Sequence, residues 1–333
     1  MKLEQMPRYP LLCGFTPLQR MENLEQALGC GPLYIKRDDL TPLGLGGNKT
    51  RKLEFLLGDA LAGGADTLVT VGGVQTNHGR LTAAAAAKAG LACTLVLDGA
   101  QPEKLSGNLL LDCLLGASLV YTDRRSTSAV IEETLAALQA AGRAPYFIPE
   151  GGSNAVGSAG YLAMVPELLA QADSLPVPPA RLVCTMGSLG TFAGLWLGAR
   201  AFGAPFSVTG VAVNPTTGYT REKAAALVNE MSAAYGLDIA AAPEDMDIIY
   251  ADAAHDYAGS GYNVPDAKTR GAVELLARTE GIFLDPCYTA KSFRGFCDIA
   301  RELDGGAIFV HTGGTPALWT QEHLDAFAAD YWN

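Results

Sequence analysis

The chain has 333 residues, of which 49% are hydrophobic and 18% charged, and its formal net charge is −11. This composition excludes a chain that is disordered throughout, and the charge excludes the basic surface that nucleic-acid binding needs. The first ten residues lack the apolar core of a secretory signal, and no apolar run reaches the ~18 residues of a membrane span. The seven cysteines show no C-x-x-C spacing, which argues against a metal site. We therefore expect a cytoplasmic protein whose partners include neither nucleic acid nor membrane.

The first half of the chain alternates between short apolar strands and helices. Its predicted strands are residues 67–71, 92–97, 118–121 and 145–149, and its predicted helices are residues 81–89, 107–115 and 129–141. The alanine-rich run at 81–89 is the strongest helix signal, because alanine has the highest helix propensity. Helices of this length between strands predict a sheet of parallel strands.

A proline-rich stretch at residues 173–179 precedes a second series of the same kind. Its predicted strands are residues 181–185, 207–213 and 307–311, and its predicted helices are residues 192–201, 221–235, 272–278 and 290–302, with one more at the C-terminus. The fold class is therefore α/β, with twisted, mostly parallel sheets flanked by helices. In such folds ligands bind where strands end and loops enter helices, so glycine-rich loops at these positions are candidate sites.

The first candidate loop, GGNKTRK at residues 46–52, places Lys49 where the chain turns into a helix. Two glycines let the backbone approach a ligand, and the neighbouring Arg51 and Lys52 should lower the pKa of a partly desolvated Lys49. A lysine with a lowered pKa is a good amine nucleophile. The spacing is equally compatible with a solvated, basic helix start.

The second candidate loop, GGVQTNH at residues 72–78, lies between a strand and the alanine-rich helix. The free N–H groups of a helix start bind anions, so Gln75, Thr76, Asn77 and His78 are candidates for binding a substrate carboxylate. A plain helix cap by Thr76 or Asn77 is the commoner role of such residues and stays open.

Two further loops follow strands of the second series. The first is a candidate phosphate site of small residues at a helix start, formed by Gly187, Ser188, Leu189, Gly190 and Thr191. Its glycine spacing differs from that of a dinucleotide site, and a simple tight turn would also fit the pattern. The other loop carries Thr312, a candidate partner for a ring nitrogen. A reactive lysine, an anion site and a monophosphate site together point to pyridoxal phosphate, held by the lysine as a Schiff base.

Seven motifs, in order and over nearly the whole chain, carry a family resemblance. They are KRDD, GGNKTRKLEF, GGVQTNH, GSLGT, GYNVP, LDPCYTAKSF and HTGGTPAL. The chain thereby resembles the D-cysteine desulfhydrase and 1-aminocyclopropane-1-carboxylate (ACC) deaminase family, which also includes L-cysteate sulfo-lyases. The resemblance implies pyridoxal phosphate as cofactor and a two-domain fold of the tryptophan synthase β-subunit type.

The resemblance also implies roles for individual residues around the cofactor. Lys49 matches the lysine that joins the cofactor covalently, and Asn77 matches the residue that hydrogen-bonds its phenolic oxygen. The loop from Gly187 to Thr191 matches the phosphate loop. Thr312 lies where the family contacts the ring nitrogen.

Two tyrosines and two threonines bear on the chemistry that the resemblance implies. Tyr262 and Tyr288 match a pair of active-site tyrosines, and Thr76 stands where the family usually has serine. By the same resemblance, Thr289 stands where the deaminases have a glutamate that supports protonation of the cofactor ring. A neutral partner makes the ring a weaker electron sink, which argues against the opening of a cyclopropane.

The expected activity is α,β-elimination on a small β-substituted amino acid, with D-cysteine giving pyruvate, sulfide and ammonia as the leading case. L-cysteate with release of sulfite stays open; a sulfonate would need an extra donor, for which His78 and Arg80 are candidates. ACC deamination, amino-acid racemisation and binding without turnover stay open as well. The stretch from Asn214 to Tyr219 is a further candidate for lining the pocket.

The resemblance sets the expected domain organisation and assembly. Residues 1–50 and 161–333 are expected to form a large cofactor-binding domain, and residues 51–160 a small domain. The cofactor should lie in the cleft between them, in a homodimer.

Overall fold

Two sheets form the framework of the molecule. In the computed structural model, which describes residues 3–123, 126–214 and 218–332, they contain ten strands. These are β1 (Leu18–Arg20), β2 (Leu33–Lys36), β3 (Thr67–Gly73), β4 (Ala92–Asp98), β5 (Ser118–Tyr121), β6 (Pro145–Ile148), β7 (Pro179–Met186), β8 (Ser207–Ala212), β9 (Ile248–Ile249) and β10 (Gly306–Val310).

The helices lie between and around these strands. Those described are α1 (Glu22–Leu28), α2 (Lys49–Ala62), α3 (Asn77–Ala89), α4 (Gly107–Leu114), α5 (Thr127–Ala140), α6 (Ala155–Leu162), α7 (Met164–Ala172), α8 (Gly190–Ala201), α9 (Arg221–Tyr235), α10 (Ala267–Glu280), α11 (Thr289–Glu302) and α12 (Gln321–Trp332).

The larger sheet has the strand order β1-β2-β10-β7-β8-β9 and the smaller one β5-β4-β3-β6. Every pairing is parallel except that of β1 with β2. The expected α/β class with mostly parallel sheets is therefore confirmed. All strands of the smaller sheet fall within residues 51–160; the division of the chain into domains at these bounds stays a prediction.

Both sheets are covered by helices on both faces. In the larger sheet, Leu182 of β7 packs with α8 and α9, whereas the next residue, Val183, packs with α11 on the opposite face. In the smaller sheet, Leu68 of β3 packs with α2 and α3, whereas Val69 packs with α5. This alternation follows from the two-residue period of a strand, and burial on both faces explains the continuous apolar runs of the sequence.

The structure differs from the predicted elements mainly at their ends. Helix α3 starts at Asn77, four residues before the alanine run, because the side chain of Thr76 accepts a hydrogen bond from the backbone N–H of Gly79 at 3.3 Å. Strand β3 extends to Gly73. Strand and helix therefore leave only Val74, Gln75 and Thr76 between them, and the start of α3 is held close to the end of the sheet.

Candidate active site

The carboxyl ends of strands from both sheets border one cavity of about 280 Å³. Ten of the thirteen residues predicted for the site line it. They are Lys49, Thr76, Asn77, His78, Gly187, Ser188, Thr191, Tyr262, Tyr288 and Thr312. The remaining three, Gln75, Leu189 and Gly190, lie behind the lining residues.

Lys49 is the first residue of α2 and projects its amine into this cavity. The Lys49 Nζ lies 3.3 Å from the carbonyl oxygen of Gly151, to which it donates a hydrogen bond. Burial lowers the pKa of Lys49 to about 8, and the charge of Glu150 opposes this shift. A substantial fraction of the amine is therefore neutral near physiological pH, as a nucleophile or a base requires.

Lys52, one helical turn beyond Lys49, is a second buried amine that the sequence did not assign to the site. Its Nζ donates to the carbonyl oxygen of Gly151 at 2.9 Å and to Ser153 Oγ at 3.3 Å. Its side chain is fully buried, and burial together with the charge of Lys49 lowers its pKa well below 10.5. Among the described residues it has no carboxylate partner, so the local charge favours an anionic ligand.

The start of α8 lies beside Lys52. The N–H of Gly190 donates to Ser153 Oγ at 3.1 Å, and Ser153 donates to Ser188 Oγ at 2.9 Å. A side chain at Gly190 would place its Cβ only 2.5 Å from Lys52 Nζ. Thr191 lines the cavity beyond this point, while Leu189 packs its side chain into the core.

The start of α3 forms another part of the wall. Thr76 caps the helix, so the commoner role considered for it is present, and it also lines the cavity. The N–H groups of Asn77 and His78 are in the first turn, where a helix offers no acceptors, and none is found for them in the described backbone. These two N–H groups are the donors available here to a carboxylate.

His78 is a neutral residue at this position. The hydroxyl of Thr70 donates to the carbonyl oxygen of Ile148 at 2.8 Å, so it accepts from His78 Nε2 at 2.9 Å. Burial and the charges of Lys49 and Lys52 lower the pKa of His78 well below 6.5. His78 therefore provides no cation for a sulfonate.

Arg80, the second candidate for binding a sulfonate, is fully buried outside the cavity lining. It donates to Asn108 Oδ1 at 2.7 Å and to the carbonyl oxygen of Gly46 at 3.1 Å. Gln75 likewise turns its side chain away, donating to the carbonyl oxygen of Ser106 and accepting from the N–H of Asn108. The side chains of Gln75 and Arg80 thus support the α3 start from behind.

Tyr262 and Tyr288 pack edge to face, with ring centroids 5.8 Å apart and an angle of 70° between the rings. Tyr262 borders the cavity and is 37% exposed, but burial raises the pKa of both phenols well above 10. Both are protonated at neutral pH and can donate protons or hydrogen bonds. The absence of a side chain at Gly187 lets Tyr288 approach, since an added Cβ would lie 3.1 Å from its ring.

Thr312 and Thr289 have different surroundings. Thr312 lines the cavity, and its carbonyl oxygen accepts the N–H of Asn48 at 3.0 Å. Thr289 is fully buried and is not a lining residue; its hydroxyl donates to Asp285 Oδ1 at 2.6 Å. Of these two threonines, only Thr312 can therefore offer its hydroxyl to a ring in the cavity.

The loop after β6 is a part of the site that the sequence reasoning missed. Glu150 and Gly151 line the cavity, and Asp98 lines it from the end of β4. The sequence PEGGSN is glycine-rich and follows a strand, which is the signal used for the other loops. Of the stretch proposed from Asn214 to Tyr219, Asn214 lines the cavity, while residues 215–217 lie outside the described residues.

Comparison with known proteins identifies the family. The family described as pyridoxal-phosphate dependent enzymes matches residues 10–313. The chain belongs to this family. The cofactor expected from the sequence is therefore confirmed, and the protein is a pyridoxal-phosphate dependent enzyme.

Two relatives and two solved structures place the chain more closely. It is 40% identical to a D-cysteine desulfhydrase of Yersinia enterocolitica, over 96% of this chain and 97% of that protein. It is 39% identical to a Pyrococcus abyssi protein named, provisionally, a 1-aminocyclopropane-1-carboxylate deaminase, over 95% and 94% of the two chains. A crystal structure of an ACC deaminase homologue matches with a TM-score of 0.88 and 36% identity over 98% and 97%. A fungal L-serine ammonia-lyase from Rhizomucor miehei shares the fold, with a TM-score of 0.63 and 19% identity over 96% and 98%.

The resemblance to the D-cysteine desulfhydrase and ACC deaminase family is thereby confirmed. No helix in the described part of the chain combines the length and apolar character that crossing a bilayer requires.

Proposed function

We propose that this enzyme catalyses α,β-elimination on D-cysteine, with water, to give pyruvate, sulfide and ammonia. The observation that carries the proposal is the set of side chains around the cavity. A buried lysine with a lowered pKa faces two protonated tyrosines, and it is the only cationic side chain among the described lining residues. The name of the Yersinia relative agrees with this activity.

The residues present fit pyridoxal phosphate at both of its ends. Lys49 would join the aldehyde, and the start of α8 with Lys52 would hold the phosphate, because the buried amine there lacks a carboxylate partner among the described residues. Asn77 would contact the phenolic oxygen and Thr312 the ring nitrogen. When bound, the cofactor supplies an electron sink for charge that develops at the substrate Cα.

The chain's own groups would then carry out binding and proton transfer. The N–H groups of Asn77 and His78 bind the substrate carboxylate. The Lys49 amine would remove the proton from Cα as a general base. Tyr288 or Tyr262 donates a proton to the departing sulfur, since both phenols keep their protons at neutral pH.

The charges at the cavity favour D-cysteine over L-cysteate. A sulfonate is a second anion beside the carboxylate and needs its own cationic partner. His78 is neutral, Arg80 lies behind the wall, and the acidic lining residues Asp98 and Glu150 oppose a dianion. L-cysteate sulfo-lyase activity is therefore the second candidate.

ACC deamination, racemisation and binding without turnover differ from elimination in the proton transfers they require. ACC deamination is disfavoured because Thr312, the residue proposed to meet the ring nitrogen, is a neutral hydroxyl. Racemisation would need the Cα proton to return on the opposite face. Binding without turnover would make no use of Lys49 beside the tyrosine pair.

The assembly and the cellular location are also proposals that rest on family resemblance. We expect a cytoplasmic homodimer whose two domains close on the cofactor, with residues 51–160 as the smaller one. Light scattering on the purified holoenzyme should then give about twice the chain mass of 34.8 kDa. A mass equal to one chain would contradict the dimer.

The experiment is to incubate the holoenzyme with D-cysteine, L-cysteate and ACC while following pyruvate, 2-oxobutyrate, sulfide and sulfite. Pyruvate and sulfide from D-cysteine alone would support the proposal. Sulfite from L-cysteate would support the second candidate, and no product from any of the three would favour racemisation or binding. In parallel, borohydride reduction and peptide mapping should label Lys49, and Lys49→Ala should abolish turnover and the visible absorbance of the bound cofactor.

A further inference from the structure

Asn108, the second residue of α4, is fully buried behind the wall that carries Asn77. Its side-chain amide takes part in three hydrogen bonds, with Arg80, Gln75 and Asn77. None of the sequence motifs pointed to Asn108, and it does not line the cavity. Its contacts nevertheless reach the site through Asn77.

Two of these partners fix which end of the Asn108 amide points where. The guanidinium of Arg80 can only donate, and it lies 2.7 Å from Asn108 Oδ1. The peptide oxygen of Gln75 can only accept, and it lies 2.9 Å from Asn108 Nδ2. A flipped amide would place donor against donor and acceptor against acceptor, so Asn108 has one possible orientation.

The fixed orientation of the Asn108 amide in turn fixes the orientation of the Asn77 amide. Asn108 Nδ2 donates to Asn77 Oδ1 at 3.0 Å, and a flipped Asn77 would oppose its own NH₂ group to that donor. The Oδ1 atom of Asn77 therefore faces Asn108, and its donor atom, Nδ2, faces away from Asn108. Asn77 lines the cavity, and its Nδ2 lies beside Gly314, where an added Cβ would be 3.0 Å away.

We propose that Asn108 is a positioning residue that makes Asn77 a hydrogen-bond donor toward the bound cofactor. The group that Asn77 would meet is then an acceptor, the phenolic oxygen in its anionic form. Arg80 and Gln75, both candidates for substrate binding from the sequence alone, serve to orient Asn108. This inference rests on the proposed function, because it assumes that pyridoxal phosphate occupies the cavity next to Asn77.

The test is the isosteric substitution Asn108→Asp. It replaces Asn108 Nδ2, which donates to Asn77, with a carboxylate oxygen that accepts. The new carboxylate keeps the contact with Arg80, but it loses the bond to the peptide oxygen of Gln75 and must be met by a donor from Asn77. Asn77 would turn its Nδ2 toward the new carboxylate and its Oδ1 toward the cofactor, placing an acceptor against the anionic oxygen. We expect cofactor affinity to fall by roughly 10- to 100-fold, the usual effect of losing a hydrogen bond to a charged group.

Asn108→Ala is the second variant, and it separates positioning from packing. Without a partner, Asn77 can rotate freely and still donate, so this variant should lose less affinity than Asn108→Asp. A residue needed only for packing would show the reverse order, since Asp has the shape of Asn and Ala leaves a cavity. Asn229→Asp is the matched control, because the Asn229 amide binds both backbone groups of Ala241 far from the site.

The measurements are the cofactor dissociation constant by equilibrium dialysis and the visible absorbance of the bound cofactor at a fixed pH. We expect Asn108→Asp to shift the spectrum toward the form with a neutral phenolic oxygen, and Asn229→Asp to match the wild type. A wild-type spectrum and affinity in Asn108→Asp would overturn the proposal, as would a larger loss in Asn108→Ala. If Asn108→Asp does not fold, an unchanged Asn108→Ala spectrum and affinity overturns it instead. A wild-type protein that binds no cofactor would refute the proposed function itself.

Discussion

The starts of α3 and α8 are two glycine-rich helix N-termini that border the same cavity, yet they are completed in different ways. At α3, Thr76 caps the helix from within the same loop, and Gly79 supplies the N–H that it accepts. At α8 the N-cap residue, Leu189, makes no side-chain cap. Ser153 accepts the N–H of Gly190 instead, and it comes from a segment 37 residues away in the chain.

The difference bears on the anion that we propose for each helix start. A locally capped helix retains its own N–H groups for a ligand, which is enough for a substrate carboxylate that must leave again. The α8 start adds the buried amine of Lys52, brought there by α2. A buried amine without a carboxylate partner among the described residues gains its proton more readily beside an anion, which suits the phosphate that we propose for this place.

The largest expected effect is that of the buried Lys49 amine on the stability of the protein without cofactor. The pKa of Lys49 is lowered from 10.5 to about 8. Between these values the folded chain binds fewer protons than the unfolded chain, so its stability rises with pH from about 8 to 10.5. Below pH 8 the full penalty of about 3 kcal/mol applies, and Lys49→Met should be more stable than the wild type by about that amount.

Denaturant unfolding of the cofactor-free proteins at several pH values measures this effect. The advantage of Lys49→Met should be full at about pH 7 and disappear as the pH approaches 10.5. Lys88→Met is the control, because Lys88 is exposed at the end of α3. An advantage that does not change with pH would show that packing, and not the buried charge, separates the variants.

The next effect tests the role of Lys52 at α8. Gly190→Ala would bring a Cβ to 2.5 Å from Lys52 Nζ and 2.8 Å from Ser158 Oγ, so the flexible amine and the hydroxyl would both have to move away. We expect the fold to be kept and the cofactor dissociation constant to rise by roughly 10- to 100-fold. Gly271→Ala, in α10 with nothing within 4 Å, should leave affinity unchanged and stabilise the helix by about 0.5–1 kcal/mol. Equal affinities of the two variants would contradict a phosphate site at α8.

The smallest effect concerns the local cap of α3. Thr76→Val removes the acceptor for the N–H of Gly79 and should lower the free energy of unfolding by about 1 kcal/mol, while Thr76→Ser should not. Thr220→Val removes the same kind of cap at α9, where Thr220 accepts from Lys223. Both valine variants should lose similar stability by denaturant titration. Only Thr76→Val should also raise the KM for D-cysteine; a similar rise in Thr220→Val would show that the effect is not local.

Some elements could be predicted from sequence because their signals are local. The alanine run of α3 and the apolar strands β3 and β7 have the period and composition of their structures, and these fix the α/β class. Strands β1 and β9 escaped prediction because they have three and two residues, too few for a pattern. They exist because a neighbouring strand offers hydrogen bonds.

The residues of the site likewise fall into those that the sequence predicted and those that it did not. Lys49 and the four glycine-rich loops were found because loops at strand ends converge in parallel sheets. Lys52 and Glu150 were missed, although Lys52 follows Lys49 by one turn and Glu150 precedes two glycines. Gln75 was expected to contact substrate, yet its side chain faces Asn108, and sequence spacing carries no information on that direction.

By itself, the sequence determined the fold class and the family and singled out Lys49 as the candidate lysine, because periodicity, composition and ordered motifs are properties of neighbouring residues. The tertiary structure alone decided which amines lose their water, which histidine stays neutral and which way the amide of Asn77 points. Each of these depends on the burial and hydrogen-bonding partners that segments distant in the chain bring together around one cavity.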